Sequence, residues 1–262
     1  MNASNRNTRK LFPDREMDDL SSHAHRQLIG SIGMVLPVLL WLIAGWRPIG
    51  EHPWTPLSSV SAYYYSGAVS AFAGMLVALA LFLFTYRGYD NKYYHRDRVA
   101  ASIAGVAAVL IALFPTGAPS DLLVLSWWTP RIGTIHLVSA AVLFGSFIFF
   151  ALFQFPISSV EKAKPLPLEK KVRNAIYISC GLAIALCMLW VIYASFRSAP
   201  IFWPEVLALE FFAVSWLVKG RAYATVVETG RKSLYYARHP RQLVNKMQDA
   251  TASQQSTEQT AP

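Results

Sequence analysis

The chain has 262 residues, of which 54% are hydrophobic and only 15% are charged. Soluble domains average about 25% charged residues, so this composition excludes an ordinary soluble enzyme and indicates an integral membrane protein. The net charge of +9 would suit a nucleic-acid partner, but no DNA- or RNA-binding motif accompanies it, and we expect no such partner.

Six apolar segments have the length needed, or nearly so, to cross a membrane as α-helices. They cover residues 28–46, 67–86, 99–114, 132–153, 174–195 and 201–218. We therefore predict an all-α polytopic bundle of six transmembrane helices over residues 28–220, preceded by a cytoplasmic tail over residues 1–27. Small residues are expected where the helices pack closely, at Gly74, Gly105, Gly145 and Gly181.

Lysine and arginine are distributed unevenly among the segments that flank these helices. The two tails and the loops after the second and fourth helices carry 21 of them, and the three other loops carry one each. The positive-inside rule then places both termini in the cytoplasm.

The first outward loop, residues 47–66, is rich in hydroxyl groups and aromatic rings. Ser61 is followed by three tyrosines, of which Tyr64 is the middle one. These hydroxyls could recognise a lipid headgroup or belong to a lid over a ligand. The alternative is an aromatic belt, because tyrosine and tryptophan gather at membrane interfaces without any ligand.

The fourth helix carries His136, the only histidine inside a predicted span, and Arg131 stands at the outward start of that helix. By helical rise, His136 lies about 7 Å below this edge. One histidine does not supply the three or four ligands of a zinc site, so we expect no metal and no cofactor.

Two glutamates, Glu205 and Glu210, interrupt the last apolar segment. A central acidic residue costs roughly 2.5 to 3.5 kcal/mol on insertion, so such carboxylates usually face a protein interior or an aqueous cavity. At 100° per residue the two lie about 140° apart around the helix. We predict that Glu210 faces the bundle interior and that Glu205 faces an outward vestibule, near His136, Arg131 or a tyrosine.

The second and sixth helices end alike, in Tyr86-Arg87-Gly88 and Val218-Lys219-Gly220. The glycine suits a left-handed cap, and the cation opposes the negative end of the helix. Residues 221–262 begin with an interrupted basic amphipathic pattern and finish in a polar stretch. This pattern predicts a segment that lies on the inner leaflet, followed by a disordered tail.

Four strings together resemble an uncharacterised bacterial family of multi-pass membrane proteins, a domain of unknown function. They are SVSAYYY (residues 59–65), YRGYD (86–90), LFPT (113–116) and SWLVKG (215–220). The resemblance extends from about the first helix to the sixth and implies a location in the bacterial inner membrane. It implies no activity and no catalytic residue.

These observations predict an outward-opening polar pocket between the second, fourth and sixth helices, lined by Ser61, Tyr64, His136, Glu205 and Glu210, with Arg131 a further candidate. The expected ligand is a lipid headgroup or a small apolar molecule, and the expected partners are membrane lipids. Three alternatives remain open: a membrane-embedded lipid hydrolase or transferase using His136 and the glutamates, a proton-coupled transporter, and a structural role in which these polar groups only join helices.

Overall fold

The computed structural model of the chain describes residues 14–46, 54–86, 88, 94–120, 122, 124–157 and 168–222. The chain divides into two units, Met1–Gly220 and Arg221–Pro262. All but the first two residues of the second unit lie outside the described residues. The predicted basic amphipathic segment, the disordered tail and most of the loops after the second and fourth helices therefore lie outside them too.

Six α-helices and no β-strand occur in the part of the chain that the structure describes. They are α1 (Asp14–Trp46), α2 (Val69–Thr85), α3 (Tyr94–Leu113), α4 (Pro130–Phe149), α5 (Leu168–Phe196) and α6 (Phe202–Lys219). Each coincides with one predicted apolar segment, which confirms the all-α class. Within the described ranges, three stretches are long and apolar enough to cross a membrane: Ser22–Trp46, Pro130–Gln154 and Leu168–Phe196.

α1 begins 14 residues before its predicted start at residue 28. Residues 14–27, which were predicted as part of a tail, are the first turns of a continuous helix of 33 residues. The buried face of α1 also extends into these turns, because Arg26 is only 1% exposed and Ile29 is fully buried. Hydropathy identifies the apolar part of a helix and misses a polar extension of it.

Each helix packs against its neighbours in sequence, and α6 returns to α1, so the six helices form a closed ring. Aromatic side chains fill its centre. Phe147 of α4 stacks on Phe212 of α6 with ring centroids 3.7 Å apart, and Trp216 lies edge-on to Phe150 at 5.4 Å. Aromatic pairs of this kind contribute about 0.5–1.5 kcal/mol each beyond their buried area, so the centre of the ring is a packed core.

Only two of the four predicted packing glycines lie at close helix contacts. A side chain at Gly105 would meet Phe84, and one at Gly181 would meet Leu152. The prediction is wrong for Gly74 and Gly145, where an added Cβ would meet nothing within 4 Å. Composition identifies small residues but does not say which way they face.

α4 ends in a π-helical turn, Phe150–Gln154. The Phe155 N–H donates to the Phe150 carbonyl at 2.8 Å, five residues back instead of four. This wider turn accommodates one extra residue, and it leaves the Phe155 carbonyl as the acceptor of a hydrogen bond from Lys219 Nζ at 2.9 Å. Such turns are frequent at functional sites.

Candidate functional site

The loop between α1 and α2 closes into a short turn that we call the serine turn, residues 58–66. Its centre is a 3-10 helix, Ser61–Tyr65. Serine hydroxyls bond the backbone on either side: the Ala62 N–H donates to Ser59 Oγ at 2.9 Å, and Ser66 Oγ donates to the Tyr63 carbonyl at 2.8 Å. Serine side chains commonly satisfy the backbone in this way, which explains a tight turn at this position.

α6 anchors one side of the serine turn. The Ile201 N–H donates to the Ser58 carbonyl at 2.7 Å, and the Val60 N–H donates to Glu205 Oε2 at 2.6 Å. Glu205 therefore accepts from a backbone N–H group directly before the 3-10 helix and ties this turn to the first turn of α6.

α4 anchors the other side through His136, which is 4% exposed. His136 Nδ1 lies 2.7 Å from the Phe114 carbonyl oxygen, and His136 Nε2 lies 3.0 Å from Ser61 Oγ. A carbonyl oxygen only accepts, so in the neutral ring the proton is on Nδ1 and Nε2 accepts from the Ser61 hydroxyl. This is the arrangement in which a histidine can withdraw a proton from a serine.

The acceptors at the end of α3 were not predicted. The carbonyls of Phe114, Pro115 and Thr116 accept in turn from His136, from Trp128 Nε1 at 3.3 Å and from the Tyr65 hydroxyl at 2.6 Å. These three residues follow Leu113, the last residue of α3, and Pro115 prevents the helix from continuing, so their carbonyls have no partner within a helix. The LFPT string thus supplies backbone acceptors, which side-chain chemistry alone does not reveal.

Ring contacts and a hydrogen bond to the Thr116 carbonyl hold the tyrosines of the serine turn in place. Tyr64 is half-buried, and its ring lies 6.1 Å from that of Phe72 and 5.9 Å from that of Tyr65. Burial, and to a lesser extent Tyr64, raises the pKa of Tyr65, so its hydroxyl stays protonated and remains a donor to Thr116.

Comparisons of the chain with protein-family models, curated proteins and solved structures find no match. Among these residues, no group of three His, Cys, Asp or Glu side chains could hold a metal ion.

Two predicted site residues stand apart from the others. Glu210 is partly buried, but the structure shows no hydrogen bond or ion pair between it and any other described residue. Arg131 is exposed at the first turn of α4. Glu205 is thus joined to the serine turn by a hydrogen bond, whereas no hydrogen bond joins Glu210 to it, and the two glutamates point in directions about 140° apart around the helix.

An apolar cavity of about 350 Å³, which we call the tryptophan groove, lies between α1 and α6 at the same end as the serine turn. Phe202 lines it and also contacts Tyr63 of the serine turn, with ring centroids 6.0 Å apart. Its other lining residues are Pro37, Val38, Trp41, Trp54, Pro56, Trp203 and Val206. The polar turn and the apolar groove are therefore neighbours.

Charged side chains are buried at the opposite end of the bundle. In the sequence, the lysines and arginines among them served only to predict the orientation of the helices in the membrane. The exposed fractions of Arg26, Asp97 and Lys219 are 1%, 7% and 8%. The Lys219 ammonium lies 5.2 Å from the Phe155 ring centroid and 5.6 Å from that of Tyr177, and the Arg26 guanidinium lies 5.7 Å from that of Tyr86. Cation–π contacts of this kind stabilise a cation that has left water.

The two similar helix endings meet at this opposite end. Tyr86 and Trp216 pack edge-on with ring centroids 5.1 Å apart, and the Gly220 carbonyl accepts from Gln27 Nε2 at 2.8 Å. Gly220 has a φ of −76°, so it is not the predicted left-handed cap. A side chain there would instead meet Gln27 and the His23 carbonyl, which explains glycine at this position by close approach.

Proposed function

We propose that this chain is a multi-pass protein of the bacterial inner membrane, with six spans and both termini in the cytoplasm. The six helices coincide with the six apolar segments, and the lysines and arginines concentrate in the tails and in alternate loops. The resemblance of its four sequence strings to a bacterial multi-pass family supports the same location. On this topology the serine turn faces outward.

The proposed function is the binding of a membrane lipid at the outward end, with its headgroup at the serine turn and an acyl chain in the tryptophan groove. The observation that carries this proposal is the contact of Phe202 with both regions. A polar recognition surface beside an apolar cleft matches a molecule that is polar at one end and apolar at the other.

The hydrogen bonds of the turn indicate which headgroup chemistry it would recognise. The Ser61 hydroxyl donates a hydrogen bond to His136 Nε2, so its oxygen still offers lone pairs to an incoming donor. Ser61 is half-buried, whereas His136 is buried behind it. The turn therefore suits a headgroup that donates hydrogen bonds, such as an amine or a hydroxyl group.

Photo-crosslinking tests this proposal. A phosphatidylethanolamine with a photoreactive acyl chain is added to the purified protein in nanodiscs, and crosslinked peptides are mapped. We expect crosslinks at the tryptophan groove, reduced at least five-fold in Val206→Trp, which fills the groove, and unchanged in Val138→Trp on the exposed face of α4. Equal labelling of both variants and the wild type, with equal melting temperatures, would contradict lipid binding in this groove.

A second candidate, a membrane-embedded lipid hydrolase or transferase, is favoured by one observation. The Phe114 carbonyl orients the ring of His136 so that its Nε2 can accept the proton of the Ser61 hydroxyl. The backbone N–H groups on either side of that serine, which could stabilise an oxyanion, are already engaged: the Val60 N–H donates to Glu205 and the Ala62 N–H donates to Ser59 Oγ. Binding without turnover therefore accounts for more of the geometry.

A fluorophosphonate probe separates the two candidates. A nucleophilic serine predicts covalent labelling at Ser61 that is lost in Ser61→Ala and falls at least ten-fold in His136→Ala. Binding without chemistry predicts no labelling of Ser61 in the wild type while the lipid crosslinks persist.

Proton-coupled transport receives the least support. Alternating access needs an interface that opens from either side. The stacked pair Phe147 and Phe212 and the neighbouring Trp216 occupy the centre of the ring instead. Among the described residues, Glu210 forms no hydrogen bond that would link it to His136 in a relay.

A further inference from the structure

A second cavity, of about 550 Å³, lies between α3 and α4 near the end of the bundle that holds Lys219. We call it the arginine groove. Nine residues line it: His95, Arg96, Val99, Ala100, Ile103, Val142, Gly145, Ser146 and Phe149. It is separate from the serine turn and the tryptophan groove, with which it shares no lining residue.

The groove has one polar end and one apolar end. On α3, Arg96 is followed by Val99, Ala100 and Ile103 at helical spacings of three, four and seven residues, which place all four on one face. The stripe on α4, from Val142 through Gly145 and Ser146 to Phe149, has the same spacing. The cavity is thus lined along both walls by single helix faces and ends at a guanidinium and an imidazole.

The basic and acidic side chains in the first turn of α3 lie on different faces of the helix. Arg96 and His95 line the groove and are exposed. Asp97, the next residue, is buried, with its carboxylate against Gly88. Asp97 therefore does not line the groove, and among the described residues that line it the guanidinium of Arg96 is the charged group.

Gly145 keeps the groove open. An added Cβ at this position would meet nothing within 4 Å, so the glycine is not required for helix packing. The one hydroxyl in the wall, Ser146 Oγ, donates to the Val142 carbonyl at 2.8 Å and is satisfied by its own helix. Below its mouth the groove presents little that a polar ligand would need.

We propose that the arginine groove binds an acidic phospholipid of the inner leaflet, with its phosphate at Arg96 and His95 and an acyl chain along Gly145. Basic pockets between transmembrane helices on the cytoplasmic side suit anionic headgroups, and a guanidinium recognises phosphate oxygens in a bidentate manner. This inference uses the proposed topology to name the leaflet. It does not depend on the lipid proposed for the outward end.

The test measures bound lipid directly. The full-length protein is reconstituted with nitroxide-labelled phosphatidylglycerol or phosphatidylcholine, and the immobilised fraction of each lipid is compared by electron paramagnetic resonance. We expect the wild type to prefer phosphatidylglycerol, and Arg96→Gln to lower this preference about five-fold, the factor that corresponds to about 1 kcal/mol per basic residue near an anionic lipid. Gly145→Leu, which fills the groove, removes the preference.

Gly74→Leu is the matched control, because a Cβ at Gly74 also meets open space but Gly74 lies on α2, outside the groove. It should bind phosphatidylglycerol as the wild type does. Three results would overturn the proposal: no preference for phosphatidylglycerol in the wild type, full preference retained in Gly145→Leu, or equal loss in Gly145→Leu and Gly74→Leu. Val206→Trp leaves this groove unaltered, so failure at the tryptophan groove and failure here are distinguishable.

Discussion

The two ends of the bundle provide different partners for their buried polar groups. At the serine turn, side chains bond the backbone of irregular segments: Glu205 accepts from Val60, and His136 meets the Phe114 carbonyl. At the other end, cations are buried among aromatic rings, as Lys219 is between Phe155 and Tyr177. The first arrangement specifies the conformation of a loop, and the second packs a basic side chain against aromatic rings and a backbone carbonyl inside a helix bundle.

This difference indicates what each end is suited to do. Hydrogen bonds from rigid helices to a turn position its side chains, so the serine turn presents Ser61 in a defined geometry. A buried cation that contacts rings contributes to packing, so the lysine at the opposite end contributes mainly to stability. Substitutions at the two ends should therefore separate ligand binding from unfolding.

The largest effect is expected at Lys219. Lys219→Ala removes a charge-assisted hydrogen bond to the Phe155 carbonyl, two cation–π contacts and the packing of the side-chain stem, and should lower the free energy of unfolding by about 3 kcal/mol. Reversible unfolding in mixed micelles with increasing dodecyl sulfate measures this. The exposed Lys171 gives the control Lys171→Ala, with a loss below about 0.5 kcal/mol. Equal losses in the two variants would show that burial of Lys219 contributes no stability.

A smaller loss is expected at the serine end. His136→Ala leaves Ser61 Oγ and the Phe114 carbonyl without their shared partner and should cost about 2 kcal/mol, and Ser61→Ala should cost about 1 kcal/mol. The double variant should show a coupling energy of about 1 kcal/mol in the same unfolding assay. Strict additivity would mean that the Ser61–His136 hydrogen bond does not contribute to stability.

The smallest change in the free energy of unfolding is expected for the two glutamates. Glu205→Gln keeps an acceptor oxygen but weakens the bond from the Val60 N–H, and should cost about 1 kcal/mol. Glu210→Gln should change the free energy of unfolding by less than about 0.5 kcal/mol, because the structure shows no hydrogen bond between Glu210 and another described residue. The same order should hold for lipid crosslinking. A larger loss of stability in Glu210→Gln than in Glu205→Gln would contradict the conclusion that Glu205 is the glutamate that holds the serine turn.

The presence of the six helices could be predicted from local sequence. The location of Ser61, His136 and Glu205 at the same end of the bundle could be predicted in the same way. Apolar runs predict helices, and alternation of helix direction places the starts of α4 and α6 at one end with the loop after α1. Helical spacing also separated Glu205 from Glu210. That Glu210 joins a pocket between the second, fourth and sixth helices stays a prediction, because the structure shows no hydrogen bond or ion pair between Glu210 and another described residue.

What could not be predicted depends on backbone groups and on helix rotation. The Phe114 and Thr116 carbonyls become acceptors because Pro115 follows the last turn of α3, and no side chain marks them. Arg26 was counted as a tail residue because its neighbours are polar, yet it lies on the buried face of α1. Rotation about a helix axis is set by packing partners that are distant in sequence.

The π-helical turn at the end of α4 makes the protein sensitive to chain length at one point. Because Phe155 bonds five residues back, deletion of one residue from Phe150–Gln154 would restore a regular helix. The rest of the segment would then rotate by about 100° and shift by one residue's rise. The carbonyl that receives Lys219 would leave its place, so this stretch should tolerate substitution better than it tolerates the loss of a codon.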